Sequence, residues 1–213
     1  MFSVIVAIMT TENIPSLASI VDLTGIHPAR IWNVYLFGSQ VYGNSRPSSD
    51  FDFSVVASNM QAHKEIKTET CNVHIWTPDL FVDKLMMYNM MTLECIFAPD
   101  FARLQEKTDF KSKLTFDKGR MKKFVMSQSH NSWTNAKMKI YEGDILRGTK
   151  SAFHGLRILV FGMQMAQYGK IVDFSAANRY WAELDAGNFL DWDAIKRSFL
   201  HTKIVLEKEL IKA

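Results

Sequence analysis

Two apolar strand-like runs joined by a glycine-serine corner constrain this chain more than any other feature. The first run, residues 34–37, stops at Gly38-Ser39, and after a polar turn the second run opens with Asp50-Phe51-Asp52. Glycine and aspartate are both depleted inside strands, so their placement at strand ends is informative. The pattern predicts two neighbouring strands, with a tight corner after the first and two acids at the start of the second.

Side-chain alternation along the second strand places the acids together. Because successive side chains point to opposite faces, Asp50, Asp52 and Ser54 are predicted to share one face, while the apolar residues between them pack on the other. Two carboxylates so close repel each other unless a cation lies between them. Mg²⁺ is such a cation, since it is bound by one or two carboxylates together with substrate phosphates. An isolated Asp-x-Asp is also common in turns and on solvated faces. The interpretation therefore depends on the two acids together with the glycine-serine corner and the two flanking strands.

The glycine-serine corner is the second part of the predicted site. Gly38 allows the backbone to approach a phosphate closely, because it has no Cβ. Ser39 offers a hydroxyl and an amide donor to the same group, and a helix starting there would add further amides suited to an anion. We therefore expect Gly38 and Ser39 to bind a phosphate group.

These residues resemble a known family, the nucleotidyltransferases of the DNA polymerase β superfamily. The resemblance rests on two motifs, Gly38-Ser39-x-x-Tyr42-Gly43 and Ser49-Asp50-x-Asp52. More narrowly, the chain is similar to predicted nucleotidyltransferases of phages, large viruses and some cellular genomes, some of which are associated with RNA ligases. The segments that suggest this subgroup are residues 93–99, 129–133, 153–159 and 169–173.

The resemblance implies a metal-dependent site in which Asp50 and Asp52 are catalytic and hold the metal ions. The superfamily usually adds a third carboxylate on a neighbouring strand, which here is predicted at residues 71–76. That strand contains no acid. Asn72 is expected to take the third position as a neutral oxygen ligand, and Glu69, just upstream, is the alternative.

Composition places few limits on the function. The chain has 213 residues, of which 47% are hydrophobic and 22% charged, so it is long enough for one large domain or two small ones. The formal net charge of +3 permits a phosphate-rich partner without requiring one. Cys71 and Cys95 lie in apolar-rich segments and are predicted to be reduced core thiols.

Nothing in the sequence predicts export or insertion into a membrane. Residues 1–9 are apolar but carry no basic leader, which argues against a signal peptide. No apolar run approaches the roughly 20 residues that a membrane-spanning helix requires. We expect a soluble, cytoplasmic protein.

The order of predicted elements indicates an α/β protein of the α+β type. Residues 1–115 are expected to form a small mixed β-sheet nucleotidyltransferase core, and residues 116–213 a helical nucleotide-binding or substrate-binding half, packed as one compact unit. Strands are predicted at residues 34–37, 52–57 and 72–76. Helices are predicted at residues 16–22, 78–88, 121–141, 150–168 and 191–212. Residues 62–67 are left open between a short helix and a hairpin arm, and residues 93–97 between a strand and a helix end.

One face of the helix predicted at residues 150–168 carries a basic stripe. At about 100° per residue, Lys150, His154 and Arg157 lie on this shared face. A guanidinium grips phosphate oxygens through its planar fork, and an ammonium acts as a point charge. We expect these three residues to contact a triphosphate, and the alternative is that the stripe simply faces water.

The expected function is magnesium-dependent transfer of a nucleoside monophosphate from a nucleoside triphosphate, ATP in the first instance, to an acceptor hydroxyl. Two Mg²⁺ ions are expected, with Mn²⁺ as a substitute. The association of the family with RNA ligases suggests an RNA end as the acceptor. A small molecule or a protein side chain is the other possibility for the acceptor. A nucleotide-binding module without catalysis is the alternative function, and the oligomeric state is left open.

Overall fold

The computed structural model describes residues 14–187, 189 and 191–213, so the apolar start at residues 1–9 lies outside the described residues. The chain divides into two compact units. One contains the described residues up to Thr77 together with Ala98–Thr108, and the other contains Pro78–Phe97 and Asp109–Ala213. The assignment of residues 1–115 and 116–213 to two functional halves stays a prediction.

The first unit is built on a mixed five-stranded sheet. Its elements are α1 (Leu17–Thr24), β1 (Ile31–Phe37), α2 (Ser39–Tyr42), β2 (Phe51–Ala57), β3 (Lys64–Lys67), β4 (Cys71–Trp76) and β5 (Arg103–Glu106). The strand order is β3-β4-β2-β1-β5. Strands β2 and β4 are parallel, and the other neighbouring pairs are antiparallel. The predicted α+β class is confirmed, and the segment at residues 62–67 provides a hairpin arm.

Strand register sets which side chains share a face. Asp52 lies opposite Phe37 of β1 and opposite Asn72 of β4, so these three residues lie in one row across the sheet. The other face is apolar and fully buried in the central strands, where it carries Val34, Leu36, Phe53, Val55, Val73 and Ile75. Burial of that face fixes the register, because a slip by one residue would exchange the two faces.

Among the strands, the edge strand β5 was not predicted from the sequence. Its four residues, Arg-Leu-Gln-Glu, lack both β-branched side chains and a clear alternation. The strand exists because it pairs with β1, where Asn33 lies opposite Glu106. Asn33 also accepts a hydrogen bond from the amide of Thr108 and donates one to its carbonyl, which anchors the end of this segment.

The second unit consists of helices. They are α3 (Pro78–Met86), α4 (Met90–Ile96), α5 (Lys118–Tyr141), α6 (Ile145–Tyr168), α7 (Asn178–Ala186) and α8 (Trp192–Lys212). The helices predicted at residues 78–88, 121–141, 150–168 and 191–212 are therefore confirmed, with small shifts at their ends. The segment at residues 93–97, left open above, belongs mostly to α4.

Helices α5 and α6 pack closely through glycines spaced seven residues apart on α6. A Cβ atom at each of these glycines would lie within 2.5 Å of a side chain of α5. The pairs are Gly148 with Ile140, Gly155 with Trp133, and Gly162 with Val125. The hydroxyl of Ser129 donates to the carbonyl of Gly155 at 2.8 Å, which is possible only because the two backbones are so near. Glycine at these positions therefore allows a close helix pair.

The structure also bears on the predictions for the two cysteines and for membrane-spanning helices. Cys71 and Cys95 are buried and not joined by a disulfide bond, as predicted. Within the part of the chain that the structure describes, no helix has the length and hydropathy needed to cross a bilayer.

Substitution of Gly155 by alanine tests the helix pair. The added Cβ would lie 2.4 Å from Cδ1 of Trp133, so we expect the free energy of unfolding to fall by about 1–3 kcal/mol. Urea unfolding measures this change. Gly119→Ala is the matched control, because its Cβ would meet only Asp117 at an ordinary 3.4 Å, so this substitution should not lower the free energy of unfolding. Equal effects of the two substitutions would contradict this account.

Candidate active site

The corner between β1 and α2 requires glycine for two reasons. Gly38 has φ of 82° and ψ of −157°, a backbone region that is essentially restricted to glycine. A Cβ atom there would lie 2.5 Å from Oδ2 of Asp52. A helix does begin at Ser39, but α2 has only four residues before Gly43 ends it in the left-handed conformation. The corner therefore presents backbone and a serine directly beside a carboxylate.

Asp52 is the acid that the sheet positions most firmly. It is partly exposed in β2, and Nδ2 of Asn72 lies 3.4 Å from its Oδ1. Asp50 is also partly exposed and lies just before β2, two residues from Asp52. Ser54, predicted on the same face, is fully buried. The structure thus brings Gly38, Asp52 and Asn72 together.

Asn72 occupies the place where the resemblance implies a third carboxylate. Its Nδ2 lies 3.3 Å from Nε2 of His74 in addition to its contact with Asp52. Its Oδ1 is buried and finds no hydrogen-bond partner among the described residues. An unpaired buried oxygen costs about 1–3 kcal/mol, so a ligand at this atom would be favoured. Glu69, the alternative, is exposed in the connection between β3 and β4.

The described residues contain no group of three or more His, Cys, Asp or Glu side chains arranged to hold a metal ion. The donors that the structure brings together here are the Asp52 carboxylate and the Asn72 amide, with Asp50 two residues before Asp52. Carboxylate and amide oxygens are ligands for hard cations such as Mg²⁺, which also retains waters and phosphate oxygens in its shell. Asp50, Asp52 and Asn72 therefore fit a magnesium ion by the chemistry of their donors.

A row of rings continues the site along the same face of the sheet. The centroid of His74 lies 5.9 Å from that of Phe37, 5.5 Å from that of His63 and 6.2 Å from that of Trp76. Burial lowers the pKa of His74, and the neighbouring His63 lowers it further, against the opposing effect of Glu65. His63 was not predicted from the sequence, since it precedes β3 in a polar segment and no motif spacing includes it.

The three residues predicted for triphosphate contact lie on one face of α6, but their environments differ. Lys150 is exposed, His154 is partly buried and Arg157 is 8% exposed. An amino group of Arg157 donates to Nδ1 of His154 at 2.6 Å, and the guanidinium lies 5.3 Å from the ring centroid of Phe153. Arg157 is therefore held by its own helix, whereas Lys150 projects into solvent.

His154 is neutral at physiological pH. Burial, and secondarily the positive charge of Arg157, lower the pKa of His154 to about 3. A neutral imidazole offers a phosphate a hydrogen bond but no positive charge. The assignment of Lys150, His154 and Arg157 to nucleotide binding stays a prediction, in which the charge would come from Lys150 and Arg157 alone.

Comparisons with known proteins give distant similarities of fold. No family model and no curated protein matches the chain. A nucleotidyltransferase-like protein from Exiguobacterium sibiricum 255-15 aligns with 92% of this chain and 73% of its own, at 11% identity and a TM-score of 0.34. Spectinomycin adenyltransferase from Enterococcus faecialis, solved with ATP and spectinomycin, aligns with 86% of this chain and 92% of its own, at 15% identity and a TM-score of 0.47. Because both TM-scores lie below 0.5, we base the functional proposal on the residues of the site.

Substitutions at two glycines test the role of the corner. We expect Gly38→Ala to lower the free energy of unfolding by about 2–3 kcal/mol, because its backbone conformation excludes a side chain and Asp52 must move. Gly43→Ala is the control, since it also has positive φ but a Cβ there meets nothing within 4 Å. The control should cost about 1–2 kcal/mol, the ordinary price of the left-handed region. Urea unfolding measures both, and a larger loss for Gly43→Ala would contradict this interpretation.

The lowered pKa of His154 predicts a specific acid sensitivity. The unfolded chain binds a proton at this residue near pH 6.5, whereas the folded chain does not until about pH 3. Stability from this group is therefore complete above about pH 6.5 and is lost progressively as the pH falls toward 3. His154→Gln should reduce the pH dependence of the free energy of unfolding in this window. The same substitution at His201, which is exposed on α8, is the control, and an unchanged slope for His154→Gln would refute the prediction.

Proposed function

We propose that this protein is a magnesium-dependent nucleotidyltransferase that takes a nucleoside monophosphate from a nucleoside triphosphate, ATP in the first instance, and joins it to an acceptor hydroxyl. The observation that carries the proposal is the contact between the glycine corner and the Asp52 carboxylate, where a Cβ at Gly38 would lie 2.5 Å from Oδ2. A backbone free of side chains beside an acid suits a phosphate bridged to the acid by a cation.

Asp50, Asp52 and Asn72 are the residues that would hold magnesium, with two ions expected and Mn²⁺ able to substitute. When bound, the ions would withdraw negative charge from the phosphate oxygens and favour the deprotonated form of the acceptor hydroxyl. Asn72 donates to Asp52 at 3.4 Å, so it also orients that carboxylate. Its buried, unpartnered oxygen supports a role as the third, uncharged ligand.

Gly38 and Ser39 would receive the β- and γ-phosphates. Gly38 contributes space for close approach, and Ser39 contributes a hydroxyl and a backbone amide. In the helical unit, Lys150 and Arg157 would add positive charge for the triphosphate, and His154 a neutral hydrogen bond. The planar fork of Arg157 suits phosphate oxygens better than a point charge does.

The reaction is an in-line displacement at the α-phosphorus. The acceptor oxygen forms a bond to phosphorus while the bond to the bridging oxygen of pyrophosphate breaks, and the proton of the acceptor hydroxyl leaves to solvent or to a nearby base. The products are the nucleotidylated acceptor and pyrophosphate. The residues of this chain act mainly by holding the reacting groups in line, which is the largest contribution proteins make to phosphoryl transfer.

An RNA end is the first acceptor to test, on the basis of the family resemblance and the mild positive charge. A small molecule or a protein side chain is the alternative acceptor. One observation favours a second function: the third ligand position carries an uncharged amide. An amide in place of a carboxylate would suit a module that binds nucleotide without turnover.

Incubation with each of the four labelled nucleoside triphosphates and Mg²⁺ tests the proposal. RNA pools, small hydroxyl compounds and the protein itself serve as acceptors. We expect release of pyrophosphate with transfer of label, abolished by EDTA. Asp52→Asn should lower the rate at least about 100-fold, because it removes charge from the ion site.

Asp22→Asn is the control for the loss of one acid, since Asp22 is exposed on α1 in the same unit. Its rate should equal that of the wild type. Nucleotide binding without pyrophosphate release under every acceptor would favour the binding module. Absence of nucleotide binding would refute both functions, and equal effects of the two substitutions on the rate would refute the role of Asp52.

A further inference from the structure

A chain of hydrogen-bonding atoms leads from the proposed metal site to the surface of the sheet. Asp52 Oδ1 lies 3.4 Å from Asn72 Nδ2, which lies 3.3 Å from His74 Nε2, while His74 Nδ1 lies 3.3 Å from His63 Nε2. We infer that His74, itself held by His63, is a positioning residue that fixes the Asn72 amide so that its oxygen is presented to the divalent cation. This inference rests on the proposed function.

The neighbours of the amide decide its orientation. An ionised Asp52 carboxylate can only accept hydrogen bonds, so it favours the NH₂ group of Asn72 at 3.4 Å. A reversed amide would place two acceptor oxygens against each other. The NH₂ group has a second hydrogen, and Nε2 of His74 lies where that hydrogen can be accepted. Both hydrogens are then used, and Oδ1 is left for another partner.

The same reasoning fixes the tautomer of the imidazole rings of His74 and His63. If Nε2 of His74 accepts from Asn72, the hydrogen of a neutral ring must be on Nδ1. That hydrogen then points toward Nε2 of His63, 3.3 Å away, which accepts it. His63 thereby selects the form of His74 that can hold the amide, in the manner of the outer partners that orient metal ligands in other proteins.

Packing limits the freedom of the His74 ring. It lies between Phe37 and His63 and is nearly parallel to His63, at 18°, and to Trp76, at 22°. Residues 72 and 74 are two apart on β4, so the strand itself places them on one face. The ring is therefore held beside Asn72 by backbone geometry and by its neighbours together.

An amide at position 72 needs a hydrogen-bond partner that fixes its orientation, whereas a carboxylate does not. A carboxylate at position 72 would offer an oxygen to the cation in either orientation, whereas a reversed amide would offer hydrogen atoms. The replacement of an acid by Asn72 therefore makes the orientation of the side chain a requirement for metal binding. His74 meets that requirement.

Affinity for Mn²⁺, followed by titration calorimetry and by electron paramagnetic resonance without turnover, tests the inference. His74→Phe keeps an aromatic ring but removes the acceptor, and we expect affinity to fall about tenfold or more. His74→Gln keeps an acceptor near the position of Nε2 and should retain most of the affinity. His201→Phe, at an exposed position on α8, controls for loss of a histidine.

Repeating the substitution of His74 in a variant with a carboxylate at position 72 separates a positioning role of His74 from general damage to the fold. In Asn72→Asp, the further change His74→Phe should alter Mn²⁺ affinity less than twofold, because either carboxylate oxygen can bind. Nitrogen-15 NMR adds a readout without metal: the Asn72 side-chain NH₂ should exchange with water faster in His74→Phe than in the wild type.

The outcomes distinguish this inference from the proposed function. If Asp52→Asn abolishes Mn²⁺ binding while a folded His74→Phe leaves both affinity and amide exchange unchanged, the inference is overturned and the function stands. An equal loss on His74→Phe in the Asn72→Asp background also overturns it. If amide exchange responds as expected but Mn²⁺ binds no better to wild type than to Asp52→Asn, the amide is held by His74 but the cation site, and with it the inference and the proposed function, is refuted.

Discussion

Strand pairing on both sides of β2 places Asp52 beside the other residues of the site. Antiparallel pairing to β1 brings Asp52 opposite Phe37, next to the glycine corner, and parallel pairing to β4 brings it opposite Asn72. Both registers are fixed by the buried apolar face of the same strands, where Phe53 and Val55 flank Ser54. A slip of one residue would bury the acid and remove the site, so packing of one face determines the chemistry of the other.

The charge of the donor set has consequences for how a cation would bind. If Asp50, Asp52 and Asn72 hold the cation as proposed, they would supply two negative charges, one fewer than three carboxylates. A divalent cation would then be neutralised by the protein alone, and a second one would depend on phosphate oxygens for most of its binding energy, as magnesium sites often do. Such a site would gain its second ion together with the nucleotide.

The sequence predicted the elements with strong periodicity and missed those that depend on tertiary pairing. Strands β1, β2 and β4 were predicted because apolar residues alternate or run together between turn residues. Strand β5 carries no such signal and forms only through its pairing with β1. For the site, Gly38, Asp52 and Asn72 were identified as candidates, but His63 was not, because its position follows from a hairpin whose geometry the sequence leaves open. The seven-residue spacing of glycines on α6 is visible in the sequence and places them on one face of the helix, but the partner helix α5 is known only from the structure.

The amide at position 72 and the two histidines beside it have a common physical explanation. A strand-borne carboxylate would need no support, because its oxygens are equivalent, whereas an amide must be held in one of two orientations. The imidazole of His74 can hold it only in one tautomer, and that tautomer needs an acceptor, which His63 provides at 3.3 Å. His74 thus accepts the second hydrogen of the Asn72 amide, and His63 accepts the hydrogen of His74. If Asn72 is a metal ligand as proposed, the requirement to orient its amide extends along the sheet as far as the exposed His63.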